Sequence, residues 1–235
     1  KTITNLRTTT EEADSAKALS AAETGVAQSI KSGEAVTTGS FASNNTTFNT
    51  SLTSVGGMSF LVNAGNVIPQ DEGADVWLIP HDASGNLNFT SPWTETLTIY
   101  WGDSSGDCNN AALEIVKIQG TSASTAVATR YGYDSCSGRR SSNGLSAPSA
   151  GSIVSGKTFY YSASISVTNG LVVRIIPLYA NTIMAVSGGL NVLPQQGSII
   201  TSTGKSSNVE RKISVVANYY SLPSQFFTYG LFVPK

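Results

Sequence analysis

The sequence predicts an α+β protein: one long N-terminal α-helix packed on a large antiparallel β-rich head, for which a sandwich is one available form. Three observations carry that expectation. Helix-spaced apolar residues are confined to the N-terminal segment, short β-branched and aromatic runs separated by turn residues fill the remainder, and no second helical pattern alternates with those runs. A doubly wound or barrel α/β fold would need that alternation.

The helix is read over residues 1–33. Ile3, Leu6, Ala13, Ala16, Leu19, Ala22, Val26 and Ile30 recur mostly at three- or four-residue steps, with Glu11, Glu12, Asp14 and Glu23 elsewhere and no Pro between them. Ala is dense from Ala13 to Ala27, which favours helix and keeps the apolar stripe slender enough for close approach to another surface. Leu19, Ala22, Val26 and Ile30 are the positions expected to make that packing seam. Gly33 is a natural C-cap after Lys31. At a rise of 1.5 Å per residue the helix would approach about 45 Å, more than one sheet needs, leaving part of it to protrude.

Residues 34–57 are rich in Ser, Thr and Asn with isolated Phe41, Phe48 and Leu52, and read as a crossover loop pinned by a few aromatics. The head, residues 58–235, carries strand-like runs at 58–63, 75–79, 96–101, 112–118, 125–131, 158–167, 171–179, 182–186, 213–220 and 226–233. In the third of these Leu97, Ile99 and Trp101 share one face. Near the C-terminus the same alternation groups Val209, Ile213, Val215 and Ala217, with Arg211 at the exposed start of that face. Thr168, Asn169 and Gly170 separate two apolar runs as an Asn-Gly hairpin turn would, which favours antiparallel pairing.

Composition limits the function classes. Among 235 residues, 40% are hydrophobic and only 12% charged, with a formal net charge of −1. Such a chain has no single-sign field to steer it onto nucleic acid, and the pair Arg139 and Arg140 and the trio Lys205, Arg211 and Lys212 are too sparse for a binding stripe. Ser and Thr make up about a quarter of the chain, so the surface is hydroxylated rather than ionic, as in exported β-rich domains. No apolar run is long enough to span a bilayer, and the start at Lys1 reads as a processed or trimmed chain. Cys108 and Cys136 sit in polar loops with no metal-ligand spacing. A disulfide is the economical reading, closing a 28-residue separation worth about 3–4 kcal/mol, with two unrelated thiols as the alternative. The bond would imply an oxidising compartment.

Candidate chemistry is thin. Gly102, Asp103, Ser104, Ser105 and Gly106 fit G-x-S-x-G after a strand, yet the sole histidine, His81, lies upstream and no helix follows to offer an oxyanion site. A turn is the simpler reading, and the chain is not expected to be an enzyme or to need a cofactor. His81 reads as a solvated imidazole in an exposed turn. Asp71, Glu72 and Asp75, and Asp103 and Asp107 with Asn109 and Asn110, offer hard oxygen ligands without EF-hand spacing, so no metal site is assigned. Trp93, after Pro92, is the tryptophan expected to lie open to a sugar ring, Trp77 and Trp101 falling in core patterns. Glycosylation sequons occur at Asn44, Asn45, Asn49 and Asn88; such matches arise by chance in a chain this rich in Ser and Thr, and matter only where the source glycosylates.

The segment 12–30, EADSAKALSAAETGVAQSI, resembles the second half of the N-terminal helix of type IV pilin-like proteins, particularly minor pilins, through Ala21, Ala22, Glu23, Gly25 and Val26. The order of helix, Ser/Thr-rich loop and disulfide-bearing β head is similar to that class, as are IPLYANTIMAV at 176–186 and LPSQFFTYGLF at 222–232. The resemblance implies a structural subunit, major or minor, of an extracellular type IV pilus-like filament at the cell surface, partnered through the helix by other pilin subunits and contributing to adhesion. Members carry a cleaved leader and about 20 to 25 apolar residues before the matching segment. That segment is missing here, so the chain would be the soluble part, with membrane contact only through the missing piece and without the glutamate that members use in assembly. The alternative is a monomeric secreted adhesin or carbohydrate-binding β-domain, with host or surface glycans as partners and the helix as stalk or lid.

Overall fold

The computed structural model describes residues 2–36, 38–43, 45–82, 85–105, 108–219 and 221, with side chains of the first helix described from Thr8 onward. The strand run expected at 226–233 and the resembling stretch at 222–232 lie outside them.

Helix α1 (Thr2–Ser32) ends where expected, Gly33 taking φ 72° and donating its N–H to the Ser29 carbonyl at 2.9 Å. Strands β1 (Gly39–Phe41) and β2 (Thr46–Gly57) follow directly, so the segment read as a crossover loop is largely sheet. Then come β3 (Ser59–Leu61), β4 (Ala74–Trp77), β5 (Trp93–Trp101), β6 (Ala112–Gln119), β7 (Val127–Tyr133), the short helix α2 (Ser137–Asn143), β8 (Ser149–Ala150), β9 (Ile153–Val154), β10 (Lys157–Thr158), β11 (Tyr161–Leu178), β12 (Met184–Ser187), β13 (Leu193–Ser206) and β14 (Val209–Asn218).

The expected α+β class is corrected by this content: half the chain is strand and 19% helix, a mostly β protein with one long helix and several antiparallel sheets. Nor do the strands form one head. The chain divides into two compact units, residues 1–54 with 197–218, and residues 55–196 with 219–235.

In the first unit α1 accompanies a sheet of order β1-β2-β13-β14. Its interior is built from small and hydroxylated residues. Thr46, Phe48 and Thr50 of β2 point inward while Thr47, Asn49 and Ser51 point out. On β13 the inward positions are Ile200, Ser202, Gly204 and Ser206. Glycine at 204 is required by contact: a Cβ there would strike the Ala18 carbonyl oxygen and the Ala22 amide nitrogen, so the helix backbone rests directly on the strand.

In the second unit an eight-stranded sheet contains the path β3-β12-β5-β11-β6-β7, with β4 and β8 also paired to β11. The anticipated hairpin at Asn169-Gly170 is instead a bulge inside one 18-residue strand. Asn169 does take φ 51°, but the residues before it pair with β5 and β8, Gly170 meets both Trp93 of β5 and Gln119 of β6, and the strand from Val172 onward pairs with β4 and β6. A bulge at which a strand changes neighbours turns a sheet through a corner. Leu97, Ile99 and Trp101 of β5 can therefore share one core with Leu113 and Ile115 of β6 and Val173 and Ile175 of β11.

Candidate assembly surface

The candidate residues gather in two places: the faces of α1, and the loop stapled by its cysteines. On α1 the buried stripe is Ala18, Ala21, Ala22, Gly25, Val26 and Ser29, stepping by three and four. Asp14 accepts from Ser206 Oγ at 3.2 Å, Ser15 Oγ accepts from Arg211 Nε at 2.9 Å, and Ser29 Oγ shares a hydrogen with Thr50 Oγ1 at 2.8 Å. Successive contacts Asp14–Ser206, Ala18 and Ala22 with Gly204, and Gly25–Ser202 run the helix antiparallel to β13.

Of the four residues expected at the seam, Ala22 and Val26 are buried against the unit's own sheet, but Leu19 is 42% and Ile30 57% exposed. Backbone contact at Gly204 and crowding at Gly25 by Ser202, Phe48 and Thr50 leave no depth for large side chains. The inward face is thus made of small residues with Val26 at its edge, and Leu19 and Ile30, on the same helical row as Val26, lie exposed on the flank. Residues 8–13 are exposed over more than a full turn.

In the second unit Cys108 and Cys136 form the disulfide, with Cα atoms 4.5 Å apart. Beside it Asp134 is fully buried; its Oδ1 accepts the Cys136 amide at 2.8 Å and Arg139 Nη2 at 2.8 Å, and its Oδ2 accepts Asn143 Nδ2 at 2.8 Å. Burial pushes its carboxyl up, but the Arg139 guanidinium, the Cys136 N–H and the Asn143 amide outweigh burial and hold it below the usual carboxylate value. Arg139 also donates to the carbonyls of Cys108 and Asn110, both at 2.8 Å, and lies 4.6 Å over the Tyr179 ring. Arg140 caps the same turn through the Asp134 carbonyl at 2.7 Å. One ionic cluster thereby grips both ends of the bridge. The two arginines drew notice in the sequence only as too sparse for nucleic acid; the adjacency of Asp134 to Cys136 was the available signal.

The remaining candidates do not converge. Ser104 is exposed, and Asn110 Nδ2 donates to both its carbonyl and its hydroxyl at 3.2 Å, a turn-closing arrangement. Gly106 and Asp107 lie outside the described residues. His81 is not the solvated imidazole expected of an exposed turn. Its ring stacks on Tyr219 at 3.8 Å and meets the edge of Trp77 at 4.7 Å, and desolvation lowers its pKa despite the Ile79 backbone hydrogen bond and the Asp82 charge. Trp93, expected to be open to sugars, is 8% exposed. Asp75 is locked to Arg174 by bonds of 2.7 and 2.9 Å. Among the described residues no group of three His, Cys, Asp or Glu could hold a metal ion, and no helix is long and apolar enough to cross a membrane.

Compared with protein-family models, curated proteins and solved structures, the chain matches none of them, so any functional reading rests on its own residues.

Proposed function

We propose that this chain is a structural subunit of an extracellular filament of the type IV pilus-like kind, associating with sister subunits through α1. The observation that carries the reading is the exposed aliphatic flank of that helix. Its small residues are used up within its own unit, while Leu19 and Ile30 lie exposed beside the buried stripe. Aliphatic side chains on an outward helix face are the ridges that a second helix takes into its grooves. The hydroxylated, weakly charged composition and the disulfide fit a part that works outside the cell.

The adhesin alternative leaned on Trp93 as a sugar platform and loses that support with the indole buried. Deleting the gene in the source cell and imaging the surface by electron microscopy tests the proposal. Filaments lost or altered, and restored by the wild-type gene, are expected. Filaments unchanged in number and composition, with the protein recovered as free monomer, would overturn it.

A further inference from the structure

The structure separates the glycosylation sequons, which the sequence leaves equivalent. Asn44 lies outside the described residues, and the third residue of its sequon, Thr46, is buried. Asn45 takes φ 50°, and its Thr47 is laid into β2 opposite Ser40. Asn49 lies within β2, and its neighbour Thr50 spends its hydroxyl on Val36 and Ser29. In both of these sequons the third residue is part of the strand, so recognition of an extended acceptor would have to pull β2 from its sheet.

Asn88 differs on each point. It sits between β4 and β5, both it and Thr90 are exposed, and neither belongs to a strand. Its backbone N–H is anchored on the Pro80 carbonyl at 2.8 Å, and the preceding turn is closed by Asp82 and Asn86. Its side-chain Oδ1 accepts the Thr90 amide at 3.1 Å and the Thr90 hydroxyl at 2.6 Å. The carboxamide is therefore held through its oxygen by the hydroxyl residue of its own sequon, and the nitrogen makes no hydrogen bond among the described residues. A hydroxyl proton on an amide oxygen draws charge from that oxygen and orients the amide plane. The same unit carries the Cys108–Cys136 disulfide, which fits maturation in an oxidising, export-linked compartment.

We infer that Asn88 is an N-glycosylation site, the acceptor of an oligosaccharide carried on a polyprenyl pyrophosphate and transferred by a membrane-bound glycosyltransferase of the exporting cell. In the transfer Nδ2 forms a bond to the sugar C1, the bond from C1 to the pyrophosphate oxygen breaks with its electron pair leaving on the lipid pyrophosphate, and Nδ2 gives up one proton to a base of the transferase. No oxidant or reductant is needed. The assignment stands apart from the filament proposal, since a secreted monomer would present the same turn.

The test is the mass of the peptide containing Asn88 in protein isolated from its own cells. A sugar increment on Asn88 is expected, lost entirely in Asn88→Gln and Thr90→Ala, retained in Thr90→Ser, and unaffected by Asn45→Gln or Asn49→Gln. An unmodified Asn88 in the native protein, or sugar carried on Asn45 or Asn49 in its place, would overturn the assignment. An unchanged melting temperature in Thr90→Ala shows that loss of sugar there is not loss of fold.

Discussion

The two units solve the problem of burial in opposite ways. The second is filled with volume: Trp101, Leu97, Ile99, Leu113, Ile115, Ile175 and Met184 have no exposed surface. The first is filled by proximity, its interior holding Ala18, Ala21, Ala22, Gly25, Ser29, Thr46, Thr50, Ser202 and Ser206, with Phe48 and Ile200 as the bulk. Apolar volume returns free energy in proportion to area removed from water, whereas small residues return little area and rely on close packing and on satisfied hydroxyls. Ser202 Oγ, buried with no hydrogen-bond partner among the described residues, is a cost the first unit carries for that closeness. A helix seated this way gives its own sheet only Val26 among its larger aliphatics, and Leu19 and Ile30 lie exposed on the flank.

Trp101→Ala should give the largest effect, a loss of about 3–5 kcal/mol, because it empties the centre of the volume-filled core and abandons the Nε1 bond to the Ala111 carbonyl at 2.9 Å. Amide exchange should quicken in β5, β6 and β11. Equal quickening in α1 and β14 would break the distinction between the units. Next, Cys108→Ser with Cys136→Ser should cost about 2–4 kcal/mol in chemical denaturation, confined to the second unit. The Asp134–Arg139 grip should keep residues 108–110 protected from exchange in that variant, and full loss of protection would show that the ionic cluster follows the bond rather than supporting it.

Gly204→Val probes the other mode. A side chain there meets helix backbone, not a flexible tip, so α1 must lift, at a cost of about 1–3 kcal/mol read as faster exchange along α1. An unchanged α1 would mean that the contact is not the seat of the helix. His81 offers a smaller effect whose sign is fixed by its environment. Its folded pKa lies below its unfolded value, so the stability it contributes is fully present above about pH 6.5 and is lost as pH falls through the folded pKa. His81→Gln should flatten that slope in melting temperature, and an identical slope would place the titrating group elsewhere.

What could be read from the sequence follows the same division. Strands whose alternation is written in apolar residues, such as Leu97, Ile99 and Trp101, were legible, and so was the disulfide. Strands β2 and β13 alternate with the same period, but in Thr46, Phe48 and Thr50 and in Ile200, Ser202, Gly204 and Ser206, where a hydrophobicity pattern shows a loop. The helix was legible in extent, but periodicity alone could not divide its seam between the unit's own sheet, which takes Ala22 and Val26, and solvent, which meets Leu19 and Ile30. The Asn169-Gly170 signal correctly marked a positive φ, but local chemistry cannot say whether the flanking runs pair with each other or with strands distant in sequence. His81 looked solvated because its cover, Tyr219, comes from the far end of the chain.

The smallest predicted change in stability is the most informative about assembly. Leu19→Ser combined with Ile30→Ser alters two exposed positions on α1 and should move the melting temperature of the isolated chain hardly at all, within about 0.5 kcal/mol per site. If the outward face is the contact between subunits, the same pair should abolish or thin filaments in the source cell while secretion and disulfide formation stay normal. Should the double variant melt several degrees lower, the two aliphatics belong to the interior of their own unit. Should filaments form with normal yield and diameter, the exposed flank of the helix is idle, and its two aliphatics would have to be explained by something other than sister copies.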